Sequence, residues 1–223
     1  MNKPKGREPK FLPLFIDVRG KPCLVLGGGR VALRKVKRLL EAGAKVEVVS
    51  PKVCDSIDKL TKVGDLKVKI KKPNIKGIDT YISKYFLIIV ATDDRAFNRE
   101  TARVCRQAGA LVNSATDPES GDVFFGAESG TGRLRFAVST SGSSPLAARW
   151  FAGWAARHLP DGVDDFLEKL SKLRVSGGGM GEIGSRVWRK VRGLDWIEEI
   201  QKDGGRKIIG AIENIGEESS KKE

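Results

Sequence analysis

The sequence predicts an α/β protein in three consecutive parts: a parallel-sheet domain over residues 1–112, a small strand region over 113–143 and a helical domain over 144–223. Three observations predict it. Short apolar runs alternate with amphipathic stretches as far as residue 112, glycines break up the runs over 113–143, and after Ser144 strand-like runs give way to apolar positions spaced by three and four.

Taken in order, residues 22–26 (PCLVL) form a strand-prone run that ends at Gly27, Gly28 and Gly29, a buried strand meeting a tight turn. From Val31 the apolar positions Ala32, Val36, Leu39, Leu40 and Gly43 recur at helical spacing. Arg34, Lys35, Lys37 and Arg38 take the other face. Residues 45–50 (KVEVVS) read as a second strand, so the first fifty residues make one strand, turn, helix and strand unit with parallel pairing. Residues 66–70 are a third strand. Residues 86–91 (FLIIVA) form a continuous apolar run suited to a strand covered on both faces, and Thr92, Asp93 and Asp94 after it suit a loop and a helix cap. A helix over 97–108 and a further strand from 110 to 112 complete the domain.

Past Asn113, residues 123–125 and 134–138 are strand-like, separated by Gly126, Gly130 and Gly132. Residues 146–158 are apolar nearly all round, through Ala147, Trp150, Phe151, Trp154 and Ala155, which predicts a helix buried on most faces and placed at an interface. Three further stripes follow: Phe166, Leu170 and Leu173; Ile183, Val187, Val191 and Leu194; and Ile208, Ile212 and Ile215. Residues 176–181 (SGGGMG) read as a hinge or loop between stripes, and the charged end, EESSKKE, as solvated.

Composition narrows the function classes. With 40% hydrophobic and 31% charged residues, the chain can bury a core, which excludes wholesale disorder. Its longest apolar runs fall far short of the roughly 20 residues that span a bilayer. No apolar signal segment follows the basic start. Three widely spaced cysteines, Cys23, Cys54 and Cys105, point to a reduced, cytoplasmic setting, and a single His with no CxxC pair argues against a zinc site. The 41 basic against 28 acidic residues give a net charge of +13, which attracts any polyanion. Bases spread along the chain, with 7% aromatics and no reading motif, argue against a dedicated nucleic-acid binder.

The turn carries the strongest chemical signal. Gly27-Gly28-Gly29-Arg30-Val31-Ala32 fits G-x-G-x-x-G/A between a strand and a helix. In such a turn Gly27 permits the sharp bend, Gly29 lets a pyrophosphate approach the backbone, and Ala32 keeps the helix against the sheet. The free N–H groups and positive end of the helix then hold phosphate. A Rossmann-like dinucleotide site over Gly27, Gly28, Gly29, Arg30 and Val31 follows, with Thr92 after the fourth strand beside it. The second strand ends in Ser50-Pro51-Lys52, where an Asp or Glu selecting NAD over NADP is expected. The turn therefore leaves NAD and NADP both open.

Several segments together resemble the siroheme synthase N-terminal family, the precorrin-2 dehydrogenases that in part also act as sirohydrochlorin ferrochelatases. They are FLPLF at 11–15, GGGRVALRK at 27–35, ATDD at 91–94, 113–125, and STSGSSP at 139–145 with Ala148-Arg149. The resemblance covers about residues 11–158. It implies NAD-dependent oxidation of precorrin-2, a tetrapyrrole with eight carboxylates, by a homodimer whose strand region over 113–143 serves dimerisation and the substrate site. The family's proposed base is an Asp in a segment like Asn-Val-Val-Asp-Asp-Pro. Here residues 113–118 read NSATDP, which puts Thr116 at that place and Asp117 one later. Asp117 becomes the candidate base. Its alternatives are Asp122, water with the macrocycle itself, and a turn-shaping role only for Asp117. The substrate contacts implied are Asn113, Thr116, Ser139, Thr140, Ser141 and Gly142, with Ser143 or Ser144 and Pro145 capping the next helix in an equally open reading. The rival from another class is an NAD-sensing module without turnover.

Overall fold

The computed structural model describes residues 11–62, 65–74, 81–176 and 193–220. They divide into two compact units, one spanning Leu14–Phe125 and the other made of residues 11–13 and those from Gly126 onward.

In the first unit, β1 (Pro22–Leu26), β2 (Lys45–Ser50), β3 (Leu66–Ile70), β4 (Leu87–Val90) and β5 (Leu111–Ser114) form a wholly parallel sheet in the order β3-β2-β1-β4-β5. The register pairs Cys23 with both Val46 and Leu87, so β1 and β4 lie at the centre. Both are buried on both faces, which is why they spell unbroken apolar runs. Alternate residues feed two cores. Cys23, Val25, Val46, Val48 and Ile89 pack with Ala32, Val36 and Leu39 of α1 (Arg30–Glu41). Leu24, Leu26, Ile88, Val90 and Val112 pack with Ala102 and Cys105 of α3 (Arg95–Gln107). Each fully buried aliphatic side chain contributes about 1.5–3 kcal/mol.

A short α2 (Asp55–Leu60) joins β2 to β3, a further element beyond the sequence reading; six residues with one buried side chain, Ile57, show too few turns for a period. The expected strand over 123–125 is absent. The Asp122 and Val123 N–H groups both donate to the Val112 carbonyl, at 2.8 and 2.9 Å, and Val123 and Phe125 pack onto the α1-side core from an irregular segment. That apolar run is buried by packing rather than by pairing. It also carries the first compact unit beyond residue 112.

The second unit begins with β6 (Ala127–Gly130), which runs antiparallel to β7 (Arg135–Val138). The sequence reading placed only glycine separators where β6 lies, because AESG is a poor strand former. Helix α4 (Pro145–Arg157) packs on both strands and buries only Ala148 and Ala152. Leu146, Trp150, Phe151 and Trp154 remain 44–75% exposed in the single chain. A separate small core joins Val163 and Phe166 of α5 (Val163–Ser176) to Ile200 of α6 (Trp196–Asp203) and Ile208 of α7 (Arg206–Ser220). Helix α6 is a further element that the apolar spacing does not show. It is set by Asp195, whose carboxylate accepts from the Ile197 and Glu198 N–H groups, and by Gly204 at φ +69°. The stripe at Ile183, Val187 and Val191 and most of the glycine segment at 176–181 lie outside the described residues.

Candidate functional site

The strand order places a topological switch between β1 and β4: the chain leaves β1 toward β2 and leaves β4 toward β5. In an open parallel sheet, ligands bind in the crevice beyond the carboxyl ends of the strands at that point. The carboxyl ends of β1, β2, β4 and β5 and the segments after them carry Gly27 to Val31, Ser50 to Lys52, Thr92, and Asn113 to Asp117.

The three glycines of the first turn are there for different reasons. Gly27 has φ +117°, and a Cβ on it would collide with the Ala91 carbonyl. At Gly28 a Cβ would strike the Lys52 carbonyl, and the Gly28 carbonyl accepts from the Cys54 N–H at 2.9 Å, so the turns after β1 and β2 lie against each other. Gly29 is unlike either. Its backbone is extended (φ −84°, ψ −171°), a Cβ there would meet nothing within 4 Å, and it caps α1 without any side-chain bond. The fold requires glycine at 27 and 28, whereas at 29 it leaves open space in front of a helix N-terminus. That is the space a pyrophosphate needs, so the residues present fit a dinucleotide. Arg30 and Val31 are exposed on the first turn of α1, and Ala32 is fully buried against the sheet.

At the end of β2, Ser50 is buried and its hydroxyl donates to the Lys52 carbonyl at 2.6 Å, which shapes the Ser50-Pro51-Lys52 turn. Lys52 itself is exposed. No carboxylate stands in this turn to meet a ribose hydroxyl.

Between β4 and β5 the sequence reading missed a residue. Asn98, on α3, is fully buried, and its amide ties two strand ends together. Its Oδ1 accepts from the Thr92 N–H at 3.3 Å and the Thr92 hydroxyl at 2.5 Å, while its Nδ2 donates to the Thr92 carbonyl at 2.7 Å and to Thr116 Oγ1 at 2.8 Å. The signal is present in the sequence: the inner face of α3 runs Asn98, Thr101, Ala102 and Cys105, polar at the two places nearest the crevice. Asp94 caps the same helix by accepting from the Phe97 N–H at 2.9 Å.

Asn113 is buried on β5. Its Nδ2 donates to the Val123 carbonyl at 2.7 Å, and its Oδ1 has no hydrogen-bond partner among the described residues. Asp117 lies half-buried beyond the strand. Its carbonyl accepts from both the N–H and the hydroxyl of Ser120, which makes the turn, while its Oδ2 meets the Arg99 guanidinium at 3.0 Å. Since Arg99 is largely exposed, this pair is worth at most about 1 kcal/mol and does not lock the carboxylate. Asp122, the alternative acid, is paired with Arg106 at 2.8 Å.

Ser139, Thr140, Ser141 and Gly142 belong to the second unit, in the turn before α4. Thr140 Oγ1 accepts from the Ser144 N–H and donates to the Ser144 carbonyl, Ser139 Oγ accepts from the Ser141 N–H, and Ser144 caps the helix by accepting from the Ala147 N–H. Ser141 (φ +53°) and Gly142 (φ +90°) are consecutive left-handed residues. Capping by Ser144 with Pro145 at the first helical position is therefore present. It leaves Ser141 and Gly142 exposed. Among the described residues no group of three or more His, Cys, Asp and Glu could hold a metal ion, and no helix is long and apolar enough to cross a membrane.

Comparison with known proteins agrees with this geometry. Residues 14–127 match the family described as "Putative NAD(P)-binding". The siroheme synthase of Nitrosococcus oceani is 36% identical over 213 residues, covering 93% of this chain and 42% of that protein. The precorrin-2 dehydrogenase of Priestia megaterium is 35% identical over 162 residues, covering 73% of this chain and 78% of that protein. The solved structure titled "SirC, precorrin-2 dehydrogenase" superposes with a TM-score of 0.63 at 26% identity, over 92% of this chain and all of that one. The chain spans less than half the length of the siroheme synthases it matches.

Proposed function

Since the chain belongs to the NAD(P)-binding family of precorrin-2 dehydrogenases and siroheme synthases, we propose that it oxidises precorrin-2 to sirohydrochlorin with NAD. The observation that carries the reading is Gly29, a glycine that the fold does not need, set before a helix N-terminus at the switch point of the sheet. Bound NAD supplies the hydride acceptor. The oxidation removes a hydride and a proton from the tetrapyrrole, and this chain's residues divide the remaining work.

The N–H groups over Gly29, Arg30 and Val31 hold the pyrophosphate, Gly27 and Gly28 shape the turn, and Ser50, Pro51, Lys52 and Thr92 flank the cofactor. Asp117 takes the proton, which requires its carboxylate to leave Arg99. The proposed substrate contacts are Asn113 and Thr116 in the first unit and, taken separately, Ser139, Thr140, Ser141 and Gly142 in the second. The +13 charge suits a ligand with many carboxylates. The apolar face of α4 covers a second copy of the chain, the segment over 113–143 serves both dimer and substrate site, and the enzyme works in the cytoplasm. No nucleic acid or membrane takes part in this reading.

The test is an anaerobic assay with purified protein, precorrin-2 and NAD, read as NADH absorbance. NADH formed in proportion to precorrin-2 supports the dehydrogenase. Binding of both ligands without NADH selects the non-catalytic NAD-sensing module instead, a reading favoured by a threonine, Thr116, in the place of the family's acid.

A further inference from the structure

We infer that Asn98 is a positioning residue that fixes the Thr116 hydroxyl as a hydrogen-bond donor toward an acceptor oxygen of the ligand in the crevice. The inference rests on the crevice being the ligand site and concerns how one side chain there is oriented.

The argument runs through the polarity of one amide. A backbone N–H only donates and a carbonyl only accepts, so the two main-chain bonds from Thr92 allow one orientation of the Asn98 amide: Oδ1 toward the Thr92 N–H, Nδ2 toward the Thr92 carbonyl. The second Nδ2 hydrogen then goes to Thr116 Oγ1, at 2.8 Å. The two threonines are left in opposite states. Thr92 donates its hydroxyl proton to Asn98 Oδ1 and accepts from the Asp94 N–H at 3.3 Å, so it is spent inside the protein. Thr116 accepts from Asn98, which turns its own proton away from α3, and that proton has no acceptor among the described residues. Thr116 is exposed, at the carboxyl edge of the sheet, while Asn98 is fully buried and all its amide hydrogens and its oxygen are engaged. A buried amide with every hydrogen-bonding group engaged is held in one orientation, so the hydroxyl it feeds is pre-set before any ligand arrives.

Two groups of the proposed ligands offer the acceptor: a carboxylate of precorrin-2 and the carboxamide oxygen of NAD. The shared chemistry is an oxygen that accepts one hydrogen bond from a neutral donor.

The experiment measures two affinities without turnover, NAD alone by calorimetry and precorrin-2 alone, anaerobically and without dinucleotide, by fluorescence quenching. Thr116→Val, on an exposed residue, folds like the parent and binds one of the two ligands about tenfold more weakly, and Thr116→Ser stays within about twofold of the parent. Which affinity falls identifies the acceptor. Asn98→Ala weakens the same ligand by a similar factor, and in the Thr116→Val background it adds no further loss, because both act through one hydrogen bond. Should Asn98→Ala fail to fold, the Thr116→Val and Thr116→Ser pair decides alone. Parent-like affinity of Thr116→Val for both ligands overturns the inference, as do losses that multiply in the double variant. A parent protein that binds neither ligand overturns the proposed function instead, so the two failures are told apart.

Discussion

Gly29→Val separates a ligand's demand for glycine from the fold's. The backbone at Gly29 is extended, which any residue adopts, and an added Cβ meets no protein atom within 4 Å. The cost to the free protein is then limited to a poorer helix N-cap, at most about 1 kcal/mol. The cost to the dinucleotide is larger. Two methyl groups in front of the first turn of α1 displace a phosphate from N–H groups that would bond it, and each hydrogen bond to an ionised acceptor is worth about 1.5–3 kcal/mol. Loss of one or two weakens NAD binding by roughly ten- to several-hundredfold. Gly27→Ala is the contrast, since it forces a left-handed residue into the Ala91 carbonyl and lowers the melting temperature whether or not NAD is present. Calorimetric titration with NAD and thermal melting of both variants check this. An intact melt with unaltered NAD affinity in Gly29→Val would refute the assignment of the turn, and melting as early as Gly27→Ala would refute the claim that the fold leaves position 29 free.

Three further outcomes are expected. Asp117→Asn lowers kcat on the order of 100-fold with NAD affinity unchanged, and unaltered kinetics would leave Asp117 as a turn residue whose carboxylate serves only Arg99. Burial pushes the Cys23 thiol up to about 11 and the Cys105 thiol to about 12, from an ordinary value of 9.0. Because the folded state resists ionising them, the unfolded chain holds fewer protons above pH 9, and stability falls as pH rises from 9 toward 11 and 12 by up to about 1.4 kcal/mol per pH unit for each thiol. Urea midpoints measured from pH 8 to 11 show the decline, which flattens in a Cys23→Ser, Cys105→Ser variant; an equal decline in that variant would remove the thiols from the explanation. Trp154→Glu on the exposed face of α4 shifts the protein from dimer to monomer in light scattering, whereas a monomeric parent would reject the dimer.

The first unit was legible wherever burial and periodicity coincide. Strands at Pro22–Leu26, Lys45–Ser50 and Leu66–Ile70 have the bounds their apolar runs suggest, and Gly27 to Ala32 makes the turn its spacing implies. Legibility failed where an apolar run packs on the core without forming a strand, as at Val123 and Phe125, and where a strand has no apolar character, as at Ala127–Gly130. At the site, residue types were readable but not how their bonds are spent. Nothing in Ser50-Pro51-Lys52 shows that the serine hydroxyl is turned onto the lysine carbonyl, and nothing in Thr92 and Thr116 shows that one is saturated and the other directed outward. Asn98 was hidden because a helix stripe is recognised by its apolar members, and a buried polar residue among them gives no periodic signal.

Where local physics explains a residue, its identity tells little about function; the useful residues are those the fold leaves unexplained. Gly28 is accounted for by the Lys52 carbonyl and Phe125 by the core, but Gly29, the Thr116 proton, Asn113 Oδ1 and the aromatic face of α4 are each unfavourable or idle within the single chain. A buried carbonyl oxygen without a donor costs about 1–3 kcal/mol, and exposed Trp150, Phe151 and Trp154 forgo a comparable amount each. Gly29, Thr116 and Asn113 cluster in the segments at the carboxyl edge of the sheet, and the aromatic face lies on one helix. Residues unexplained for different reasons are gathered at two places, which the proposed function assigns to two partners: a small ligand rich in acceptor oxygens at the switch point, and a second copy of the chain on α4. The same logic bears on metal insertion. Loading iron into a tetrapyrrole takes protons from pyrrole nitrogens, and position 116, where the family's acid stands, offers a hydroxyl already oriented to give a hydrogen bond rather than to take a proton. Under the proposed function the expected activity is therefore dehydrogenation, where one proton leaves, with weak chelation, where two must, and an iron-insertion assay on the purified protein checks it.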